Sequence, residues 1–136
     1  MNIGIVVAEF NGEITGRMLE VAHERAQKLN VKVGKVSSVP GTFDVPLMVD
    51  ALLGKSDIAG VATLGAVIKG QTKHDEVIAH ATAASIQTIS LKHSKPVTLG
   101  ITGPAMSVRQ AYARARPVAE RAIDSLVSLL RELDRV

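Results

Sequence analysis

Apolar positions along the chain follow two patterns, short buried runs and longer stripes at helical spacing. Continuous or alternating apolar runs predict strands over residues 2–8, 31–39, 58–64 and 97–101. Stripes at helical spacing predict helices over residues 14–29, 45–53 and 75–91. After the fourth strand, the pattern predicts a short helix over 107–114, ended or kinked by Pro117, and a last helix over 117–133.

The regular alternation of strands and helices predicts the architecture. Such alternation is typical of a parallel sheet whose right-handed crossovers place helices on both faces. We therefore expect a three-layer α/β/α sandwich on a four-stranded parallel sheet. The 136 residues are enough for one such core, and they contain no internal repeat, low-complexity segment or linker. A single domain over residues 1–136 is expected.

Composition narrows the classes of function. The chain has no cysteine, which excludes disulfides, thiolate nucleophiles and thiolate metal sites. Its apolar start lacks a basic segment and is too short for a membrane span, so we expect a cytoplasmic protein without membrane attachment. The net charge is +3, but the basic residues are scattered. An anionic small molecule accounts for this bias as well as nucleic acid would, and nucleic acid is not expected as a partner.

The loops after the predicted strands are the first place to look for a ligand site. In open parallel sheets, ligands bind beyond the carboxyl ends of the strands. These loops cover residues 9–13, 40–44, 65–74 and 102–107, and they contain both phenylalanines, Phe10 and Phe43. A single phenylalanine in such a loop more often packs over the end of a strand than it binds a ligand. Two rings in the same class of loop favour at least one that stacks on a planar ligand.

The segment LGAVIKGQTKHDEV, residues 64–77, leads from the third strand into a helix. Backbone N–H groups at a helix N-terminus suit a phosphate, with Gly70 allowing close approach and Thr72 adding a hydroxyl. The same two residues also fit a turn and an N-cap. His74 can exchange protons near neutral pH, and the neighbouring Asp75 or Glu76 could orient its ring. An exposed surface histidine is the simpler alternative.

Other charged residues contribute less to the predicted site. We find no pair of histidines at ligand spacing backed by a carboxylate, so no metal site is expected. The remaining histidines lie in predicted helices or in a loop away from these strand ends, at His23, His80 and His93. One arginine after the fourth strand could bind phosphate with two hydrogen bonds, but spacing does not choose among Arg109, Arg114 and Arg116.

Four ordered blocks carry a resemblance to a known family. They are AEFN at 8–11, VPGTFDVPL at 39–47, LGAVIKGQTKHDEV at 64–77 and PVTLGITGPAMSVRQAYAR at 96–114. With these blocks the chain resembles the lumazine synthase family over nearly its whole length, in particular its archaeal members. Each block falls on a strand end already selected on physical grounds. The resemblance implies a flavodoxin-like topology for the expected sandwich.

The resemblance also implies roles for individual residues. Phe10 would stack on a pyrimidine, and His74 would be the catalytic histidine. The residues implied to hold the pyrimidine edge and a ribityl chain are Thr42, Phe43, Asp44, Ala66, Val67 and Ile68. Those implied at a sugar phosphate are Gln71 and Thr72. Leu99 and Arg114 would reach the site of the adjacent subunit in a pentameric ring, either free or within a sixty-subunit shell. Family members more often carry glutamate at position 44 and phenylalanine at position 99.

The implied reaction joins 5-amino-6-(D-ribitylamino)uracil to 3,4-dihydroxy-2-butanone 4-phosphate in riboflavin biosynthesis. The 5-amino group forms an imine with the ketone, phosphate leaves and the ring closes, with His74 moving protons. These steps need no cofactor. Three alternatives remain open: an archaeal-type riboflavin synthase, a non-catalytic flavin-binding shell protein and a response-regulator-like domain. The Phe10-Asn11 pair and the GQTKH segment favour the synthase over the first, and His74 with Arg114 favours it over the second. Glu9 alone does not supply the acidic cluster that the third requires.

Overall fold

A computed structural model describes residues 2–136 as a sheet of parallel strands in the order β2-β1-β3-β4. The strands are β1 (Asn2–Ala8), β2 (Lys32–Val39), β3 (Gly60–Ile68) and β4 (Val97–Met106). The central strands β1 and β3 are buried along nearly their whole length, which explains their continuous apolar runs. The strand order is the flavodoxin-like one, and the predicted α/β sandwich is confirmed.

Helices cover both faces of this sheet. They are α1 (Gly12–Lys28), α2 (Val45–Leu53), α3 (His74–His93) and α4 (Val108–Asp134), with a 3₁₀ turn at Thr42–Asp44 before α2. One core lies between the sheet and the pair α1 and α4, with Met18, Leu64 and Ile123 at its centre. The other lies beneath α2 and α3 and includes Leu52 and Ile86. Among residues 2–136, no helix is both long and apolar enough to cross a membrane.

Strands β3 and β4 run further than the sequence pattern predicts. Residues 65–68 and 102–106 were expected in loops, yet they continue the β3–β4 ladder. Ala66 pairs with Thr102 and Ile68 pairs with Met106, so β4 carries two extra residues in a bulge opposite Val67. Gly103 lies in this bulge with a φ of 107°, and a Cβ there would lie 2.4 Å from the Val67 carbonyl oxygen. Only glycine fits such an approach without displacing β3.

The end of the chain forms one helix where the sequence predicted two. Pro117 lies inside α4 on its exposed side and does not end it. The buried stripe through Ala115, Val118 and Ala122 continues past the proline, and its burial holds both halves of α4 on the sheet. The end of α3 also differs, since His93 is its last residue and does not lie in a loop.

Candidate active site

A cavity of about 290 Å³ lies beyond the carboxyl ends of β1, β2 and β3. Predicted site residues form much of its wall, namely Phe10, Thr42, Phe43, Ala66, Val67, Ile68, Thr72 and His74. Two residues that the sequence analysis noted beside the predicted site, Gly70 and Asp75, also line it. Residues to which sequence reasoning gave no role complete it, namely Asn11, Gly41 and Ile78. Three separate segments of the chain therefore meet at this cavity, at residues 10–11, 41–43 and 66–78, as expected for the strand ends of a parallel sheet.

The two phenylalanine rings of the chain lie at this cavity and are largely exposed. Phe10 is 71% exposed and Phe43 is 65% exposed, which is unlike a ring that plugs a strand end. Backbone bonds hold the segment that carries Phe10, because the Phe10 N–H donates to the Pro40 carbonyl at 3.0 Å. The same segment is held by the Glu9 N–H, which donates to the Val39 carbonyl at 2.8 Å. The ring faces are thus available to a planar ligand on a backbone that is fixed.

Asn11 ties the end of β1 to the end of β3. Its backbone is left-handed, with a φ of 63°, a conformation that asparagine tolerates better than most residues. Its side-chain amide donates to the Ala66 carbonyl at 2.8 Å, across 55 positions of sequence. Sequence reasoning noted the Phe10-Asn11 pair but gave Asn11 no role, although an asparagine between a strand and a helix is a recognisable signal for this backbone.

The 3₁₀ turn forms the wall of the cavity next to Phe43. Asp44 closes the turn, because its Oδ2 accepts the Gly41 N–H at 3.0 Å. Thr42 is buried, and its carbonyl accepts the Thr82 hydroxyl of α3 at 3.4 Å. A Cβ on Gly65 would lie 2.9 Å from the Thr42 hydroxyl oxygen, so the glycine lets the turn pack closely on β3. Asp44 itself caps this turn and does not line the cavity.

The loop between β3 and α3 forms the polar side of the cavity. The Lys69 N–H donates to the Met106 carbonyl at 2.9 Å and anchors the start of the loop on β4. Gly70, Thr72 and His74 line the cavity, whereas Gln71 does not. Because α3 begins at His74, its unpaired N–H groups and positive dipole end lie beside the cavity. This arrangement suits an anion. Lys69 and Lys73 belong to the same loop but do not line the cavity.

His74 is exposed at the rim of the cavity. The carboxylate beside it in the sequence does not orient its ring, contrary to one of our expectations. Asp75 instead accepts the backbone N–H of Ala105 at 2.8 Å through its Oδ2. His74 therefore lies free to approach a ligand, next to an acid whose hydrogen bond is directed at β4.

Leu99 and Arg114 lie away from the cavity of their own chain. Leu99 is 51% exposed on the edge strand β4, and Arg114 is exposed on α4. Arg116 belongs to a surface network, since its guanidinium lies 3.4 Å from Glu120 and 3.9 Å from Glu24. Within residues 2–136, neither an arginine nor a lysine lines the cavity, so a single chain offers a phosphate backbone groups, hydroxyls and His74.

The chemistry of the cavity is that of a hydrogen-bonding and stacking site. Among residues 2–136, no group of three or more histidine, aspartate or glutamate side chains is placed to hold a metal ion. His93 lies at the opposite end of α3 from His74, and its Nε2 is 2.8 Å from Asp50 of α2. The cavity combines an exposed aromatic face, a helix N-terminus and a histidine.

Comparison with known proteins identifies the family. The family model described as 6,7-dimethyl-8-ribityllumazine synthase matches residues 1–134. The chain belongs to this family. Three archaeal relatives carry the same name, the first from Metallosphaera sedula at 50% identity over 133 residues, covering 98% of this chain and 88% of the relative. The second, from Saccharolobus solfataricus, is 49% identical over 139 residues, covering 100% of this chain and 90% of the relative.

The third relative, from Sulfolobus acidocaldarius, is 46% identical over 136 residues, covering 100% of this chain and 86% of the relative. These matches confirm the resemblance carried by the four sequence blocks. They include the loop between β3 and α3 and the strand end at Phe10, where the cavity lies. This lumazine synthase family member therefore has its cavity where three of the four sequence blocks meet, at 8–11, 39–47 and 64–77.

Proposed function

We propose that this chain catalyses formation of 6,7-dimethyl-8-ribityllumazine, the penultimate step of riboflavin biosynthesis. It would condense 5-amino-6-(D-ribitylamino)uracil with 3,4-dihydroxy-2-butanone 4-phosphate and release phosphate and water. The observation that carries this proposal is the meeting of an exposed ring, a helix N-terminus and a histidine in one cavity, at Phe10, Thr72 and His74. The family match over residues 1–134 supplies the reaction for which such a cavity is suited.

The pyrimidine binds on the side of the cavity formed by β1, β3 and the 3₁₀ turn. Phe10 stacks on the ring, and the backbone of Ala66, Val67 and Ile68 meets its polar edge. Thr42 and Phe43 hold the ribityl chain through backbone groups. Asp44 uses its Oδ2 to close the turn and lies outside the cavity wall, so its second carboxylate oxygen would accept a hydroxyl of the ribityl chain only where that chain extends beyond the wall.

The sugar phosphate binds at the start of α3. The free N–H groups of the helix and the Thr72 hydroxyl bind the phosphate, and Gln71 would reach it from outside the cavity wall. The positive end of the helix dipole stabilises the phosphate charge. His74 then lies at the boundary between the two substrates. It moves protons as the imine forms, the phosphate leaves and the ring closes, while much of the acceleration comes from holding the two reactants in register.

The complete site is shared between neighbouring subunits of a homo-oligomer. Leu99 would line the pyrimidine pocket of the next subunit, and Arg114 would bind its phosphate with two hydrogen bonds. Both residues are exposed and both lie outside the cavity of their own chain, which supports this arrangement. The assembly is a pentameric ring, either free or closed into a sixty-subunit shell. We place this single domain of residues 1–136 in the cytoplasm, because phosphorylated substrates do not cross membranes unaided.

A direct assay tests the function. The purified protein is mixed with both substrates, and lumazine absorbance and released phosphate are measured together. We expect equimolar formation of both products. His74→Ala should slow turnover by about 100-fold to 10,000-fold without unfolding the protein. His80→Ala is the matched control, because His80 is also exposed on α3 and does not line the cavity.

Two outcomes would contradict the proposed reaction, and a third would contradict the role of His74. Consumption of lumazine alone, with riboflavin as a product, would indicate a riboflavin synthase. Tight binding of the pyrimidine or a flavin without any turnover would indicate a binding or shell protein. Full turnover by His74→Ala at every pH would exclude His74 as the proton carrier.

A further inference from the structure

Asp75 is a buried acid whose partner lies on a different element. It is the second residue of α3 and only 7% exposed, whereas acidic side chains are seldom buried without a partner. Its Oδ2 accepts the backbone N–H of Ala105 at 2.8 Å, across 30 positions of sequence. Asp75 and His74 both line the cavity. The acid thus connects the first turn of α3, beside His74, to the end of β4.

The partner of Asp75 lies where the sheet is irregular. Ala105 belongs to the β4 bulge, where the pairing with β3 skips from Thr102 to Met106. A bulge leaves backbone groups without a partner in the ladder, and such groups need one from elsewhere. Ala105 is also left-handed, with a φ of 61°, which is uncommon for alanine. The Asp75 carboxylate satisfies its N–H and holds the bulge and the helix start together.

We propose that Asp75 is a positioning residue for His74 and for the loop of residues 70–72. It acts by holding the first turn of α3 on the β4 bulge, so that the ring of His74 and the free N–H groups of the helix keep a fixed place in the cavity. The expected effect of Asp75 on turnover rests on the proposed function, whereas its expected effect on the position of residues 70–72 does not. A displacement of about 1 Å in a catalytic group can reduce the rate by roughly 100-fold.

Three variants separate this role from the alternatives. Asp75→Ala removes the hydrogen-bond acceptor, and Asp75→Asn keeps a carbonyl oxygen of the same reach. Glu76→Ala is the matched control, because it removes an acid from the same helical turn at a half-exposed residue that lies outside the cavity wall. If Asp75→Ala does not fold, Asp75→Glu replaces it, since one extra methylene shifts the carboxylate away from Ala105.

We expect Asp75→Ala to lower kcat by about 10-fold to 100-fold and to raise the KM for the sugar phosphate, with little change in the KM for the pyrimidine. The kcat and KM values of Asp75→Asn and Glu76→Ala should stay within about threefold of those of wild type. Rescue by asparagine distinguishes positioning from proton transfer, because an amide accepts the same hydrogen bond but carries no acidic proton. Asparagine as inactive as alanine would overturn the positioning role, as would a fall in melting temperature with unchanged kinetics.

Hydrogen exchange gives a second measurement that does not depend on turnover. Amides of residues 70–77 should exchange faster in Asp75→Ala than in wild type, at a temperature where β1 and β3 stay protected. Asp75→Asn should match wild type. Unchanged exchange in Asp75→Ala would overturn the connection between α3 and β4. An inactive wild-type protein would refute the proposed function, while the order of exchange rates would still decide this inference.

Discussion

Two large apolar side chains at the cavity are exposed to solvent, although burying them would stabilise the fold. Phe10 and Phe43 offer apolar rings to solvent, while the core beneath them is aliphatic. Leaving two rings exposed forgoes the free energy that their burial would contribute. The rings are therefore better explained by a ligand that covers them than by stability.

Phe10→Ala should weaken pyrimidine binding and leave phosphate binding nearly unchanged. A stacked aromatic contact contributes about 0.5 to 1.5 kcal/mol beyond its buried area, so we expect the pyrimidine Kd to rise by roughly 2-fold to 12-fold or more. Phe10→Trp keeps an aromatic face and should bind normally. Calorimetry with the pyrimidine, and separately with inorganic phosphate, measures both effects. An alanine variant with unchanged pyrimidine affinity would remove Phe10 from the binding site.

Sequence reasoning selected residues whose side-chain type is unusual at their position. It missed residues whose role depends on a contact with a part of the chain that is distant in sequence. Phe10 stands out because a ring in the loop directly after a predicted strand is unusual, and His74 because it is a proton-exchanging side chain just before a predicted helix. The role of Asn11 depends on the Ala66 carbonyl, 55 positions away. Asp75 was read as a neighbour of His74, but its acceptor role depends on a bulge in β4. No local pattern encodes either contact.

For the helices and strands too, local sequence patterns predict where an element lies, whereas packing against the rest of the chain determines where it ends. Sequence patterns located all the strands of the sheet, because buried runs are local. They ended β3 and β4 too early, since Gly65, Gly103 and Pro104 are typical of turns. The ladder between these strands continues because each satisfies the other's backbone groups, and the bulge absorbs the proline. Pro117 led to a similar error, because it predicted the end of a helix at a position where α4 continues.

Pro117→Ala should stabilise the protein. A proline within a helix lacks a donor for the carbonyl of residue 113 and costs about 3 kcal/mol relative to alanine, of which the more flexible unfolded chain offsets roughly 1 kcal/mol. We expect the free energy of unfolding in urea to rise by about 2 kcal/mol. Arg121→Ala, also exposed on α4, should change it by less than about 0.5 kcal/mol. A less stable Pro117→Ala protein would show that the packing of α4 depends on the proline.

A polar cluster joins α2 to α3 at the end far from the cavity. Asp50 lies 2.8 Å from His93 Nε2 and 3.3 Å from Lys92 Nζ. The hydrogen bond from His93, followed by that from Lys92, holds the pKa of Asp50 below its ordinary value. A lowered pKa in the folded state stabilises the protein above the pKa of the unfolded chain, about 3.9, and this contribution disappears as the pH falls through the folded value.

Asp50→Asn should therefore lower the melting temperature slightly at pH 6 to 7. Its difference from wild type should shrink as the pH falls below about 4, where the wild-type carboxylate gains its proton. Thermal unfolding followed by circular dichroism across this range measures the difference. Asp57→Asn is the control, because Asp57 is exposed and has no ion pair among residues 2–136. A difference that grows as the pH falls would contradict the assigned direction.

At the scale of the whole molecule, the proposed shared site accounts for an arginine that the cavity formed by the described part of one chain does not contain. It presents a helix N-terminus and His74 but no arginine within residues 2–136, while Arg114 and Leu99 lie exposed elsewhere on the surface. A head-to-tail ring brings a different surface of each subunit to the next, so it can complete every cavity in the same way. Sedimentation tests for the proposed ring and distinguishes a free pentamer from a closed shell.

Mixed rings test the shared site. His74→Ala and Arg114→Ala proteins should each be impaired when made alone. When both are co-expressed at equal dose, about a quarter of interfaces combine an intact His74 with an intact Arg114, so activity should recover to roughly a quarter of wild type. If both residues served one site from the same chain, every site would keep one lesion. Verified mixed rings no more active than the average of the single variants would exclude the shared site.

The absence of aromatic rings from the two cores of residues 2–136 affects the intrinsic fluorescence of the protein. The chain has no tryptophan and a single tyrosine, so its own near-ultraviolet emission is weak. A tryptophan substituted for Phe10 would be the one indole of the protein, placed on the ring face where the pyrimidine is proposed to stack. Quenching of its fluorescence would then report the occupancy of each cavity before any bond is formed. Because neither core of the described chain contains an aromatic ring, the fluorescence of that indole would report on the cavity and not on the packing of the core.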